Sequence, residues 1–502
     1  MQEDTNKAII INTIITYIRL GVSVITGLLI ARFALKALGV DDYGLFSVVG
    51  SIISFIAIIN TIMLSTSNRF ISIAIGKGEV SEINKQFNVS LVVHIAIALF
   101  VLLISFPLGS WYITNYVNYA GSIETVILVF DITIIGSVIS FIGVPYNGLL
   151  VAKERFSVFS ITDIIAHLIR LFIAYLLLSH FTNKLLVYTI TLSFLAGIPT
   201  LVYYVYCKKI FPELVRFKII RDKDSYAKVF NFSVWVGFGA VASVGKAQGA
   251  ALIINMFFTT AMNAALGLAN TVNSLIRNIA SNASVSIAPQ ITKSYARGEK
   301  DRSEKLVCLS SKVTFMLMAL IVSPFFVAPD YIFTLWLGEI PEYLVTFTQL
   351  LIIDALIGSL NAGIPTLVFA VGRIKWYQII ESSLYIISVV AAFFVLRAGA
   401  PAHYLLIVYI IFSVIVLVVR QILLNVLVEF DNKRLFKYSY LPSFYVILCF
   451  LPCFFIRSLI HPLVVIALSI VYMTIIIALV GLTKGERAYL LERVKRIVSR
   501  NQ

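Results

Sequence analysis

The sequence predicts an all-α integral membrane protein of 14 transmembrane helices, and three observations carry that expectation. Hydrophobic residues make up 60% of 502, with a mean hydropathy of +0.95. Runs of about 20 apolar residues, each long enough to cross a hydrocarbon core of about 30 Å, recur down the whole chain. The cations also sort by connection. Of 40 Lys and Arg, 30 fall in or at the borders of alternate connections and at the two ends. Five lie in the opposite connections (Arg32, Lys36, Lys184, Arg397 and Arg457), and five lie inside spans (Arg19, Arg170, Lys246, Arg277 and Arg420). That bias places both termini in the cytoplasm by the positive-inside rule.

The expected spans are 8–33, 43–66, 87–110, 120–143, 157–180, 184–207, 229–257, 261–287, 307–330, 343–369, 376–397, 403–428, 440–457 and 461–482. They group as an N-terminal six-helix lobe (1–207), a cytoplasmic linker (208–228), a C-terminal six-helix lobe (229–428), helices 13 and 14 (429–482) and a basic amphipathic cytoplasmic tail (483–502). The linker carries seven basic residues between Lys208 and Lys228. The segment from Thr292 to Lys305 reads as a mixed-charge loop that extends a helix below the membrane. In the tail, Leu490, Leu491, Val494, Ile497 and Val498 form an apolar side, with Arg493, Lys495, Arg496 and Arg500 available for headgroups.

The net charge of +15 would suggest nucleic acid in a soluble chain. Here the excess flanks the membrane, so the partners expected are anionic lipids and not nucleic acid. The first apolar stretch is too long for a cleavable signal peptide, and no small-x-small site follows it. Cys207, Cys308, Cys449 and Cys453 read as small apolar packing residues. Metal-ligand spacing, a phosphate-cradling Gly-rich loop and a nucleophile elbow are all missing, so neither a cofactor nor an enzymatic activity is expected.

The chain reads as an internal duplication. Asn12, Tyr43-Gly44-Leu45 and Ile75-Gly76-Lys77-Gly78-Glu79 recur about 220 residues later as Asn231, Leu266-Gly267-Leu268 and Tyr295-Ala296-Arg297-Gly298-Glu299. Six spans per copy is an even number, so the copies point the same way. Parallel repeats of this kind place a cavity between two bundles, the architecture of a transporter that rocks.

Ionisable groups inside spans are costly and face protein or a wet cavity. Arg19 lies near the middle of span 1 and Lys246 past the middle of span 7. In span 8, Asn270, Asn273, Ser274, Arg277 and Ser281 share one face at helical spacing. Span 5 carries Asp163, His167 and Arg170 at i, i+4 and i+7; Asp163 and Arg170 are too far apart to pair along one helix. Arg420 is placed to snorkel to headgroups, and His94 and His167 read as hydrogen-bonded packing residues. Cations lining a cavity imply an anionic substrate. An arginine fork suits phosphate oxygens, whereas lysine acts as a point charge. Arg19, Arg277 and Lys246 are therefore the candidate substrate cations, with Asn270, Asn273 and Ser274 as polar lining. Asp131, Asp163 and Asp354 are the candidate carboxylates for ion coupling.

The stretches ARFALKALGVDDYGLFSVVGSI, STSNRFISIAIGKGE, KAQGAALIINMFFTTAMNAALGLANTV and APQITKSYARGEKDRSEKL resemble bacterial polysaccharide-repeat flippases. These are the O-antigen and capsule transporters of the multidrug/oligosaccharidyl-lipid/polysaccharide exporter superfamily. The resemblance covers about the first 430 residues. It implies a two-lobe fold, alternating access, and an undecaprenyl-diphosphate-linked oligosaccharide moved outward across the bacterial cytoplasmic (inner) membrane. A downstream polysaccharide polymerase would then be a partner. In the related lipid-linked peptidoglycan precursor flippases, arginines of spans 1 and 8 engage the diphosphate, matching Arg19 and Arg277 by span, and spans 13 and 14 form a groove for the lipid tail. Those relatives have a denser arginine cluster near spans 1 and 2, where this chain has Arg69 at the end of span 2. Two competing readings are a cation-coupled multidrug exporter, which favours an acidic cavity, and a membrane-embedded glycan polymerase or ligase, which needs a sizeable periplasmic loop.

Overall fold

A computed structural model describes residues 2–117, 119, 121–153, 155–179, 181–453, 461–483 and 485–487. The side chains of Asn12, Arg69 and Asn231, residues 454–460 of span 13 and residues 488–502 of the tail lie outside the described residues. The described chain is helical, with no strand among the described residues. In lipid every backbone N–H and C=O needs a partner, and a helix supplies it within one segment.

The helices are α1 (Gln2–Leu38), α2 (Val40–Lys77), α3 (Val80–Tyr116), α4 (Ile123–Ala152), α5 (Phe156–Leu176), α6 (Lys184–Ile210), α7 (Lys223–Phe257) and α8 (Thr260–Ala296). They continue with α9 (Lys300–Val327), α10 (Pro329–Leu337), α11 (Leu344–Ser359), α12 (Ile364–Val371), α13 (Ile374–Arg397), α14 (Tyr404–Val428), α15 (Asn432–Leu435), α16 (Leu441–Phe450) and α17 (Pro462–Ile476). Ten helices among the described residues are long and apolar enough to cross a membrane. The pair α11 and α12, bent by 41°, makes an eleventh if counted as one span. The bend falls where Gly363 takes a φ of +86° just before Pro365. Helices α7 and α8 are 35 and 37 residues long.

The chain gathers into two compact units. The first is Met1–Thr271 with Leu396–Ala398, and the second is Val272–Val395 with Gly399–Gln502. The division falls within α8, downstream of the 208–228 segment. In the first unit α7 packs on α2 and α3. Helices α4 and α6 approach closely because α4 carries glycine where α6 carries a small residue. A Cβ at Gly136 would stand 2.6 Å from the Ser193 Cβ, and one at Gly143 would stand 2.4 Å from the Thr200 Oγ1. Small residues allow close backbone approach where lipid supplies no hydrophobic drive. Both contacts are equally offset along the two helices, so α4 and α6 run in the same direction, as alternating spans require.

The sequence repeat has a matching backbone. Gly78 follows the last residue of α2 at φ +80°, and Gly298 closes the end of α8 at φ +76°. The Gly78 N–H donates to Ile75 O at 3.0 Å and the Gly298 N–H to Tyr295 O at 2.9 Å. This is the left-handed helix end that glycine alone adopts without strain. The 292–305 segment is accordingly mostly helix, belonging to α8 up to Ala296 and to α9 from Lys300.

The 208–228 segment is tied to α3. Asn84 and Asn88, one turn apart on α3, hold its backbone. Asn84 Nδ2 donates to the carbonyls of Glu213, Leu214 and Arg216 at 2.9–3.1 Å. Asn88 Nδ2 donates to Arg216 O, and Asn88 Oδ1 accepts from Lys218 N, both at 3.0 Å. Lys85 pairs with Asp222, the N-cap of α7, at 2.8 Å. The Lys85 ammonium and the Ser225 hydroxyl hold the Asp222 carboxyl well below the usual carboxylate range.

In the second unit, Lys312, near the start of the expected span 307–330, is buried in α9 at 2% exposure. Its Nζ reaches both Glu486 oxygens at 2.5 and 2.6 Å. Glu486 also accepts from the Thr483 N–H at 2.8 Å, and the Thr483 Oγ1 accepts from the Glu486 N–H. That reciprocal pair is a capping box at the start of the tail.

Candidate functional site

The first unit holds a polar cluster where α1 meets α5. The residues of span 5 fall on one face because they are spaced at whole helical turns, and α1 covers that face. Arg19 Nη1 donates to Asp163 Oδ2 at 2.9 Å, with the side chains 25% and 34% exposed. Phe159, one turn earlier on α5, places its ring 4.9 Å from the Arg19 guanidinium carbon. One turn later, His167 Nδ1 lies 3.4 Å from Thr26 Oγ1. The candidate substrate cation Arg19 and the candidate coupling carboxylate Asp163 thus form a single pair, a relation that the sequence leaves open.

Lys246 is half-buried on α7 and Asn270 half-buried on α8 in the same unit. Asp131 lies half-buried on α4, and its Oδ1 is buried with no hydrogen-bond partner among the described residues. Ser137 and Ser140, further along α4, bond instead to carbonyls of their own helix.

In the second unit, Arg277 is exposed near the middle of α8, flanked by exposed Ser274 and Asn278. Asn273 is buried at 7% exposure, and its Oδ1 has no hydrogen-bond partner among the described residues. The polar face of α8 is therefore split: Arg277 and Ser274 point outward and Asn273 inward.

Two further charged groups of this unit meet partners on neighbouring helices. Asp354 on α11 accepts from Ser413 Oγ on α14. Arg420 does not reach for headgroups. Its Nη2 donates to Glu381 Oε1 on α13, with both side chains about nine-tenths buried. Tyr385 OH also donates to Glu381, at 2.9 Å, and the Tyr377 ring lies 5.8 Å from the Arg420 guanidinium carbon. A buried arginine between a carboxylate and aromatic faces is desolvated yet compensated, which snorkelling would not require.

The same unit contains an apolar cavity of about 330 Å³ between α9, α11, α16 and α17, whose lining includes Phe315, Phe326, Leu356, Ile447, Phe450 and Met473. His94, on α3 of the first unit, is a packing residue, its Nδ1 2.6 Å from Ser90 O. The cysteines are free thiols, three of them buried, and the described residues contain no cluster of three metal-ligating side chains.

This helical arrangement has counterparts among solved structures. Lipid II flippase MurJ, in an inward closed conformation, superposes with a TM-score of 0.66 at 13% identity, over 93% of this chain and 98% of that one. An inward-facing multidrug resistance MATE family transporter of the MOP superfamily superposes with a TM-score of 0.62 at 12% identity, over 80% of this chain and 95% of that one. In sequence, the chain is 24% identical over 344 residues to the uncharacterized membrane protein EpsK of Bacillus subtilis (strain 168). It spans 65% of the length of that relative, and the match takes in 66% of this chain. No family model matches the chain. The chain is a multi-pass membrane protein with the fold shared by MATE exporters and the MurJ flippase.

Proposed function

We propose that this protein is a flippase. It moves an undecaprenyl-diphosphate-linked oligosaccharide repeat outward across the bacterial cytoplasmic membrane by alternating access, for O-antigen, capsule or exopolysaccharide assembly. The proposed architecture is 14 spans, two six-helix bundles in parallel repeat with two added helices, and both termini cytoplasmic. A downstream polymerase would consume the delivered repeat, and the protein itself catalyses no bond change.

The observation that carries this reading is Arg277, exposed midway along a helix of membrane-crossing length. A charge at that depth faces water or a ligand and not acyl chains. Its guanidinium matches phosphate oxygens at two points. The apolar cavity beside α16 and α17 suits a prenyl tail, so cation and cavity answer the two ends of one amphiphile. Arg19 and Lys246 are further diphosphate contacts, Asn270, Asn273 and Ser274 polar lining, and Asp131, Asp163 and Asp354 candidates for ion coupling. The test is complementation of a strain lacking the transporter. Arg277→Ala should abolish surface glycan at unchanged protein level, and Arg277→Lys should restore part of it. Full surface glycan with Arg277→Ala would remove the diphosphate role.

A further inference from the structure

The strap between α6 and α7 presents an unusual surface. Its backbone faces α3, tied there by Asn84 and Asn88, and Leu214 is buried beneath it at 7% exposure. Tyr226 OH bonds Ile220 O at 3.0 Å, fixing the far end. With its backbone groups bound inward, the strap turns large side chains outward. Phe217 is 59% exposed and Ile219 68% exposed. Arg216, Lys218 and Arg221 are exposed among them. From Lys208 to Lys228 there are seven basic residues against three acidic ones.

Depth decides what meets this surface. Lys85 is the last charged residue of α3, and everything after Gln86 in that helix is uncharged. The strap therefore crosses α3 at the level where the helix enters the apolar layer. That level is the headgroup region, where amphipathic groups settle. Exposed aromatic and aliphatic side chains gain by entering it, and neighbouring cations gain from anionic headgroups within a Debye length. We infer that the 208–228 strap is a membrane-surface anchor: Phe217 and Ile219 seat in the interface, and Arg216, Lys218 and Arg221 bind anionic phospholipid headgroups. The amide ladder on α3 holds these side chains at fixed depth. The site is separate from the candidate substrate cations and does not rest on the transport reading.

The test uses the full chain with Cys207, Cys308, Cys449 and Cys453 replaced by Ala and a bimane label on Phe217→Cys, in nanodiscs of phosphatidylcholine or phosphatidylglycerol. Ile219→Cys serves if the first variant folds poorly, and Phe194→Cys, on the outward face of α6, reports acyl contact in either lipid. The label at 217 should be quenched by acyl-chain bromines and shielded from aqueous acrylamide, more strongly in phosphatidylglycerol. The combined Arg216→Gln, Lys218→Gln and Arg221→Gln variant should lose that lipid preference. Equal acrylamide quenching in both lipids would overturn the anchor. So would shielding that arises only when cytosolic protein is added, and so would a lipid preference that survives loss of the three cations.

Discussion

Arg19 donates to Asp163 at 2.9 Å across α1 and α5, so the two groups proposed for phosphate binding and for ion coupling neutralise each other. Both remain a quarter to a third exposed. Under the proposed function, a diphosphate that takes Arg19 would have to displace Asp163. On that proposal, competition of this kind would link substrate to the carboxylate proposed for ion coupling.

The pair predicts a specific pattern. Arg19→Ala should lower transport about tenfold or more, the size of a lost charge-assisted contact. Asp163→Asn should tighten substrate binding while weakening the dependence of transport on an ion gradient. The double variant should be no worse than Arg19→Ala alone. Measured binding and gradient dependence of the four proteins in vesicles check this. Equal loss of protein level in both single variants would make the pair structural.

Arg420 and Glu381 predict the opposite behaviour. Removing either partner leaves a buried charge, at a cost of about 3 kcal/mol. Arg420→Ala and Glu381→Ala should lower the unfolding midpoint in detergent, and the joint Arg420→Met, Glu381→Leu variant should recover most of the loss. Midpoints unchanged by the single variants would contradict the pairing.

The repeat glycines predict an ordered pair of effects. A Cβ at Gly44 would lie 1.8 Å from the Thr260 carbonyl oxygen, whereas one at Gly267 would lie 2.5 Å from Ser47 Oγ. Backbone cannot yield as a hydroxyl can. Gly44→Ala should cost about 1–3 kcal/mol and Gly267→Ala less, with Ser47→Gly relieving the second alone. Thermal stability of the purified variants decides it.

Much of this was legible in one sequence. The helices followed from apolar runs, and the repeat from two glycine-bearing motifs that meet where α2 crosses α8. The place of Arg19, Arg277 and Arg420 inside helices followed from the apolar runs around them. Partner identity did not, because Arg420 meets Glu381 only through the packing of α13 on α14. Lys312 stands near the start of the expected span 307–330, but its partner Glu486 lies 174 residues away in sequence. The strap left one signal: Asn84 and Asn88, one turn apart beside Lys85, are more amide than a span end needs.

The most direct test of the transport reading is reconstitution. The purified chain is placed in liposomes carrying a fluorescent polyprenyl-diphosphate oligosaccharide, and movement is followed by loss of accessibility to an external quencher. An imposed gradient or voltage, at about 2.3 kcal/mol per charge per 100 mV, should accelerate it. Wild type should move the lipid, Arg277→Ala should fail, and Arg277→Lys should move it slowly. Movement by Arg277→Ala at the wild-type rate would contradict the account, as would export of a cationic drug with no movement of the lipid.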